Sequence, residues 1–373
     1  QNEIMAKHVN EEPKPLKEVA PWVPSRLCDL VMVLVEKNPN GPWSYGQLAP
    51  GPKPDAATFA PYPRPVTISR VGTLSNPGSR GGEDVLSDQH PYRRVPHTAE
   101  IIQELRTLEG SGLPLFISEY GVGSAIDLVR VVRRYEQLGK AEVEDAQFYR
   151  TQRDRFLADW HQWQLADTFD RPEDYFQACL AKMAGQRLLG LNAIRSNPNC
   201  VGYSLTGTVD QGMTGEGLTT TFRQPKPGTF EALFDGLAPL RWGLFAEPVN
   251  VYRNTLVRLE AVLANEDALL PGEYPVRLEV VGPDATRVFQ QELTLTIPES
   301  GEKPEPALAM PVFSEEVTID GPPGEYRLLA TFEEGAAASG RAVVFYVADP
   351  DEMPPVDAEV VLWGDDPELE KWL

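Results

Sequence analysis

The side chains that bind metals most tightly are scarce in this sequence. It contains three cysteines and four histidines in 373 residues. The cysteines are too far apart for a zinc motif, and no two histidines stand four residues apart, as they do on a metal-binding helix. The odd number of cysteines also gives no complete disulfide framework. We therefore expect no metal site, and the sequence implies no other cofactor.

Long apolar runs and basic residues are lacking as well. The longest apolar run near the start, residues 30–35, is far below the roughly 18–20 residues of a membrane helix. Lysine and arginine total 34 against 55 aspartates and glutamates, which gives a formal net charge of −21. Because such a field repels phosphate backbones, we do not expect nucleic acid as a partner, and the short apolar runs lead us to expect no membrane partner. Neutral ligands such as most sugars are indifferent to this charge, whose plainest consequence is solubility.

Residues 1–240 alternate short apolar runs with helical patterns, which is typical of an α/β protein with a parallel sheet. Strands are predicted at residues 30–35, 85–92, 113–118 and 201–205. Helices are predicted at residues 98–110, 142–168 and 172–189, the first of them capped by Thr98. The second of these helices is expected to pack Trp160 and Trp163 into the core. A Pro- and Gly-rich loop, residues 39–65, is long enough to be functional.

After about residue 240 the pattern changes to strands alone. Six are predicted, at residues 257–263, 274–281, 288–297, 312–319, 326–332 and 342–347. Polar and apolar residues alternate in several of them, and Gly/Pro turn signals separate them. Several short strands at this spacing, with no helices between them, indicate an all-β sandwich.

Glu119 stands at the end of a predicted buried strand and is followed by Tyr120 and Gly121. A carboxylate at the carboxyl end of a parallel strand points to the edge of the sheet, where the active sites of α/β proteins form. Gly121 and Gly123 let the chain turn and leave room for a ligand. A single glutamate after a strand also fits a cap or a salt-bridge partner, so the position alone leaves both interpretations open.

Three motifs resemble one enzyme family. The run Pro114-Leu-Phe-Ile-Ser-Glu-Tyr-Gly121 resembles the nucleophile strand of family 2 glycoside hydrolases, which is the seventh strand of their (β/α)8, or TIM, barrel. Asp88-Gln-His-Pro-Tyr92 is similar to the end of the sixth strand. Residues 201–210, 215–218 and 223–227 resemble the eighth strand and the closure of the barrel. The motifs stand in the family's order, and the resemblance covers roughly residues 1–240.

The resemblance implies a domain order. Residues 1–240 would form the C-terminal part of the TIM-barrel catalytic domain, and residues 241–350 an immunoglobulin-like β-sandwich. Residues 351–373 would hold a linker and the start of a further α/β domain. The family's N-terminal domains and first four barrel strands would be the missing part of a parent chain. Because an open half-barrel exposes sheet edges and apolar faces, we expect the piece alone to be inactive or poorly behaved.

The resemblance also implies two catalytic carboxylates. Glu119 would be the nucleophile, and Glu3, in the pair Asn2-Glu3, would be the general acid and base. Asn2 would bind the 2-hydroxyl of the sugar. The opposing interpretation is that Asn2-Glu3 is a frayed terminus. Glu11 and Glu12 are weaker substitutes, because they lie in what should be the following helix.

Four further residues are candidates for substrate binding. Tyr92 would also donate a charge-assisted hydrogen bond to Glu119. His90 could bond a sugar hydroxyl or be a core histidine at a strand end. Trp43 could line the sugar cleft or pack its own loop. Asp210 could bind substrate or cap a turn.

The sequence departs from the family at the end of the eighth strand. The family commonly carries a Trp there that stacks on the sugar, whereas this chain has Leu205-Thr206. Stacking would then come from Trp43, Tyr45 or Tyr92.

The resulting hypothesis is a retaining O-glycosyl hydrolase that acts on a carbohydrate by double displacement and needs no cofactor. One alternative is an endo-glycanase of the same clan. The other is a non-catalytic carbohydrate-binding or scaffold protein on a decayed barrel, which the missing Trp favours and the intact Glu119 opposes.

Overall fold

The computed structural model describes residues 18, 87–110, 114–212, 214–299, 308–352 and 367–372. The strand predicted at 30–35 and the loop at 39–65 lie outside these residues. The chain divides into two compact units, Gln1–His90 with Glu109–Ser118 and Pro91–Leu108 with Glu119–Leu373. The described elements combine helices and sheets, so the protein is a mixed α/β structure.

Two short strands pair in parallel in the first unit. β1 (Ser87–Gln89) lies beside the start of β2 (Leu115–Tyr120). Leu115 is fully buried, as expected of a strand within an α/β core. The strand predicted over residues 85–92 ends early, at Gln89, two residues before Pro91, which has no N–H to donate to a sheet ladder.

The helices described in the second unit precede and follow a third strand. They are α1 (Ala99–Thr107), α2 (Leu128–Gln137), α3 (Glu144–Gln162), α4 (Pro172–Arg195) and α5 (Thr229–Gly236). The predicted helices at α1, α3 and α4 are confirmed, and the Thr98 hydroxyl caps α1 by accepting from the Ile101 N–H at 3.5 Å. The sequence reasoning missed α2 and α5, which are short and bury three residues each.

Of the two tryptophans predicted to pack into the core near α3, one is buried and one is exposed. Trp160 is buried, as expected. Trp163 is 65% exposed, so its assignment to the core is wrong. The physical reason is that α3 ends at Gln162, and the chain turns away there before Trp163 can continue the apolar face of the helix.

β3 (Cys200–Leu205) is the strand predicted at 201–205. Directly after it, the Thr206 N–H donates to the Tyr120 carbonyl at 3.0 Å. Within the second unit, this bond brings the end of β3 beside the end of β2. The residues that follow each strand are therefore neighbours in space, as the carboxyl ends of parallel strands are.

Two sheets follow residue 240. Their strands are β4 (Leu240–Glu247), β5 (Asn250–Tyr252), β6 (Leu256–Asn265), β7 (Gly272–Val281), β8 (Arg287–Ile297), β9 (Ala309–Thr318), β10 (Gly324–Phe332) and β11 (Ala342–Ala348). One sheet has the order β5-β11-β10-β7-β8 and the other β4-β6-β9, with every pairing antiparallel except β5 with β11. All six predicted strands are confirmed. β4 was missed because its residues are almost continuously buried and show no alternation.

The two sheets enclose one apolar core. Trp242 and Leu259 from the three-stranded sheet and Leu278, Leu328 and Phe345 from the five-stranded sheet belong to the same buried cluster. Burial of one such side chain stabilises the fold by roughly 1.5–3 kcal/mol.

Further along, α6 (Pro367–Trp372) is described within the segment where a further domain is expected to begin. The division of the chain at residues 240 and 350 stays a prediction.

Within the described part of the chain, no helix has the length and apolar character needed to cross a membrane.

The close packing of β2 against α4 gives a stability prediction. Gly190 lies in α4, and a Cβ added there would be 1.7 Å from the hydroxyl oxygen of Tyr120, which is fully buried. We expect Gly190→Ala to destabilise the protein by about 3 kcal/mol, because neither the helix backbone nor the buried ring can move away. Urea unfolding followed by circular dichroism measures the change.

Gly185 in the same helix provides the matched control. It is exposed, and a Cβ there meets nothing within 4 Å. Gly185→Ala should raise the free energy of unfolding by about 0.5–1 kcal/mol, since alanine favours helix. Equal effects of the two substitutions would contradict the packing described here.

Candidate active site

Glu119 is the penultimate residue of β2. Side chains alternate along a strand, so Glu119 shares a strand face with Leu115 and Ile117, which are fully buried. The Glu119 side chain is itself half-buried. Tyr120, on the opposite face of the strand, is fully buried, so the end of β2 is at least partly covered on both faces.

Tyr92 and Thr206 form a hydrogen-bonded chain with Glu119. The Tyr92 hydroxyl lies 2.9 Å from Glu119 Oε2 and 3.0 Å from Thr206 Oγ1. A carboxylate can only accept, so the single phenol proton goes to Glu119, and the Thr206 hydroxyl donates to the Tyr92 oxygen. The hydrogen bond from Tyr92 to Glu119 that the sequence led us to expect is present in the structure.

The environment keeps Tyr92 protonated. Partial burial raises the pKa of the Tyr92 phenol, and the hydrogen bond to Glu119 and the charges of Glu119 and Glu216 raise it further. The hydrogen bond with Thr206 acts in the opposite direction. A phenol with a raised pKa remains a donor to Glu119 across the neutral pH range.

Three side chains converge on Gly121, the residue after β2. A Cβ added at Gly121 would be 2.5 Å from Thr206 Oγ1, 2.6 Å from Glu216 Oε2 and 3.2 Å from Tyr92 Cε1. Any larger residue at this position would displace them. Gly121 thus leaves space that these side chains occupy, and the room for a ligand expected from the sequence stays a prediction.

Asp210 pairs with Lys226 inside the loop that follows β3. Asp210 is 4% exposed, and its Oδ1 accepts from Lys226 Nζ at 2.8 Å and from the Gly217 N–H at 2.9 Å. Burial raises the pKa of Asp210 and lowers the pKa of Lys226, while the pair itself acts against both shifts. Of the two roles left open for Asp210, the geometry favours the one that holds the loop.

Arg187 is hydrogen-bonded to the loop after β2 and to the loop after β3. It is fully buried on α4, and its Nη2 donates to the Val122 carbonyl at 3.1 Å and to the Glu216 carbonyl. Burial lowers the pKa of the guanidinium, and the nearby Tyr120 and Glu216 act in the opposite direction. Arg187 therefore connects the chain after β2 with the chain after β3.

His97 and Tyr120 form a second buried contact beneath the site. His97 Nε2 lies 3.0 Å from the Tyr120 hydroxyl, and Nδ1 lies 3.3 Å from the Arg94 carbonyl. Because a carbonyl only accepts, Nδ1 carries the proton and Nε2 accepts from Tyr120. Burial lowers the pKa of His97, which fits a neutral ring. This contact fixes the Tyr120 ring and with it the end of β2.

The first unit contains its own polar cluster at the ends of β1 and β2. His90 Nε2 lies 2.8 Å from Ser118 Oγ and 3.2 Å from Asp88 Oδ2. Asp88 Oδ1 also accepts from the Ser118 N–H at 3.1 Å. His90 is thus held by polar groups at a strand end, and its proposed bond to a sugar hydroxyl stays a prediction.

The remaining predicted residues lie outside the described part of the chain. They are Asn2, Glu3, Glu11, Glu12, Trp43 and Tyr45. Among the described residues, no group of three or more His, Cys, Asp or Glu side chains is placed to hold a metal ion.

Thr206 and Glu216 are the residues at this site that the sequence reasoning did not select. The run Gly215-Glu-Gly217 was noted only as part of a motif. A charged residue between two glycines is a usable signal, because glycines allow close backbone approach and leave one side chain to project. Thr206 gave no such signal, since its contact with Tyr92 spans 114 residues of sequence.

Comparisons with known proteins give weak likenesses. No family model and no curated protein sequence matches the chain. The β-D-mannosidase from Dictyoglomus thermophilum is similar with a TM-score of 0.41 and 14% identity, over 69% of this chain and 30% of that one. A glycosyl hydrolase family 2 member from Bacteroides cellulosilyticus matches with a TM-score of 0.21 and 18% identity, over 29% of this chain and 14% of its own.

A CARDB domain from Pyrococcus furiosus matches 30% of this chain and 86% of its own, with a TM-score of 0.20 and 18% identity. The chain thus spans less than a third of the length of the two glycosidases. All these TM-scores are below 0.5, so the likenesses do not establish a shared fold.

Proposed function

We propose that this chain is part of a retaining glycoside hydrolase of the family 2 type and that Glu119 is its nucleophile. The observation that carries the proposal is the hydrogen bond of 2.9 Å from the Tyr92 hydroxyl to Glu119 Oε2 at the end of β2. It joins residues of two of the three motifs that resemble the family, and it orients the half-buried carboxylate.

The reaction has two displacements. Glu119 attacks the anomeric carbon, and the bond from that carbon to the leaving oxygen breaks as Glu3 donates a proton to the oxygen. A glycosyl ester of Glu119 results. Glu3 then takes a proton from water, the water oxygen attacks the anomeric carbon, and Glu119 leaves as a carboxylate. Two inversions retain the configuration, and no cofactor takes part.

Tyr92 serves this mechanism by orientation. Its hydroxyl holds one oxygen of Glu119, which restrains rotation of the carboxylate. A charge-assisted hydrogen bond is strongest to the free carboxylate and weakens once the ester forms. Tyr92 therefore also helps Glu119 to leave in the second step. Asn2, His90 and Trp43 complete the proposed sugar site.

The proposed fold follows the same reasoning. Residues 1–240 would be the second half of a TIM barrel and residues 241–350 an immunoglobulin-like sandwich, with the N-terminal domains supplied by a longer parent chain. The two sheets around one core support the sandwich. The adjacent ends of β2 and β3 support the order of the last barrel strands.

A covalent trap tests the proposal directly. A 2-fluoro glycoside with a good leaving group should form a stable ester in the full-length protein, because the fluorine slows both steps and the leaving group restores only the first. Peptide mapping by mass spectrometry should place the added mass on Glu119. A label on another carboxylate would assign the nucleophile elsewhere.

The non-catalytic alternative has one observation in its favour, which is Thr206 at the stretch where the family commonly has a stacking Trp. Sugar binding measured by calorimetry without any label or turnover would support that alternative.

A further inference from the structure

The Glu216 side chain occupies a pocket made by glycines. A Cβ at Gly121 would be 2.6 Å from Glu216 Oε2, and a Cβ at Gly207 would be 2.7 Å from Glu216 Cγ. Gly207 has a φ of +81°, a conformation that L side chains rarely adopt. A Cβ at Gly123 would make only an ordinary contact with Glu216 Cβ, at 3.9 Å. Two glycines, one from each strand-end loop, therefore leave room for this one carboxylate.

The neighbours of Glu216 in sequence are equally restricted. A Cβ at Gly215 would be 2.0 Å from the Ser124 carbonyl oxygen, and a Cβ at Gly217 would be 2.2 Å from the Asp210 nitrogen. Both contacts are with backbone, which cannot move aside cheaply. Glu216 is therefore the one side chain that the run of residues 215–217 can project.

Buried charges hold this run in place. Arg187 donates to the Glu216 carbonyl, Lys226 Nζ donates to the Gly215 carbonyl at 2.8 Å, and Asp210 accepts from the Gly217 N–H at 2.9 Å. All three charged side chains are at most 5% exposed. Because a buried charge that loses its partner is costly, these contacts disfavour other positions of the run.

Within the described part of the chain, the Glu216 carboxylate interacts with charged side chains only at longer range, among them the buried cations Arg187 and Lys226. No hydrogen bond or ion pair engages its oxygens there, although the side chain is half-buried and lies beside Tyr92 and Thr206. Since no described residue donates to it, this half-buried carboxylate is available to accept hydrogen bonds from water or from a ligand.

Resting on the proposed function, we propose that Glu216 is a specificity-determining residue of the sugar site next to Glu119. Its carboxylate accepts hydrogen bonds from hydroxyl or ammonium groups of the sugar, and it repels sugars that carry a carboxylate at the same place. The substrate class is therefore neutral or amino sugars, and uronic acids are excluded by like charge.

The test compares Glu216→Gln with the wild type in the full-length protein. Both are assayed with nitrophenyl glycosides of a neutral sugar, of the matching amino sugar and of the matching uronic acid. Glutamine keeps the shape and an acceptor oxygen but removes the charge. We expect kcat/KM to fall by about 10- to 100-fold for the neutral and amino sugars, as for loss of a charged hydrogen bond. For the uronic acid glycoside, kcat/KM should stay unchanged or rise.

The same comparison is made for binding, with calorimetry of the free neutral sugar, amino sugar and uronic acid. This readout separates the two proposals. Selective binding that Glu216→Gln abolishes would support the role of Glu216 even if no variant shows turnover, in which case the glycosidase proposal fails alone.

Three outcomes overturn the role of Glu216. Equal losses on all sugars would mark a structural role, and unchanged selectivity would remove Glu216 from the sugar site. Complete loss of turnover on every sugar, with binding unchanged, would instead make Glu216 a proton donor. Asp167→Asn, far from the site in sequence and exposed, is the control and should leave both readouts unaltered.

Discussion

Replacing Glu119 by Gln in the full-length protein is expected to lower kcat/KM for an activated aryl glycoside by about 10³-fold or more. The amide has nearly the shape of the carboxylate, and its oxygen still accepts the hydrogen bond from Tyr92. It carries no negative charge, however, and cannot form the ester on which the second step depends. The measurement is release of the aryl group under substrate-limited conditions, with circular dichroism to confirm the fold.

Glu231→Gln is the matched control for this substitution. Glu231 lies exposed on α5, so the same chemical change there should leave turnover intact. Retention of more than about a tenth of the wild-type kcat/KM in Glu119→Gln would exclude Glu119 as the nucleophile.

A rescue experiment makes the assignment sharper. Glu119→Gly opens space for a small anion such as azide. Azide would attack the anomeric carbon in a single displacement, so turnover should return and the product should have the inverted configuration. Rescue with a retained configuration would show that another carboxylate still forms the ester.

The second large effect is expected at the buried pair of Asp210 and Lys226. Lys226 Nζ lies 2.8 Å from Asp210 Oδ1, and both side chains are at most 4% exposed. We expect Asp210→Asn or Lys226→Met, made alone, to lower the free energy of unfolding by about 3–5 kcal/mol, because each leaves one buried charge without its partner. Burial already raises the pKa of Asp210 and lowers that of Lys226, so neither charge is stable there by itself.

The double variant distinguishes this cause from simple loss of packing. With Asn at 210 and Met at 226 no charge is buried, and the amide can still accept from the Gly217 N–H. The loss in free energy of unfolding in the double variant should therefore be at least about 1 kcal/mol smaller than the sum of the losses in the two single variants. Urea unfolding of the four proteins gives the coupling, and strict additivity would contradict the argument.

An exposed ion pair of similar length serves as the control. Arg171 and Asp174 approach to 2.7 Å at the start of α4, but both remain accessible to solvent. Asp174→Asn should leave stability almost unchanged, since exposed pairs gain little over hydration.

The sequence pointed to those residues of this site that stand in recognisable local runs. Glu119 was selected because a buried run ends in this carboxylate, and its role as nucleophile was predicted from the resemblance of that run to the family. Tyr92 was predicted from a second run that resembles the family, and the structure joins the two by a hydrogen bond. Glu216 was overlooked, because the space that it occupies depends on Gly121, which belongs to the loop after β2.

Asp210 is a residue whose role the sequence left open between two interpretations. A carboxylate after a strand fits substrate binding and loop support equally well in the sequence. The position of Lys226, sixteen residues later, favours the structural interpretation, and substrate binding by Asp210 stays a prediction. Trp163 was misplaced for a related reason, since a helical pattern continues through it while the helix itself ends one residue before.

The sequence by itself determined the strands and helices with strong periodicity, the change to an all-β pattern after residue 240, and the carboxylate at the end of β2. These follow from side-chain spacing and turn residues, which act over a few positions. The tertiary structure decided which loops meet, which charges are paired and which carboxylate shares the space of Glu119. Such contacts join residues that are distant along the chain, so no local pattern encodes them, and they exist only once the strand ends lie side by side.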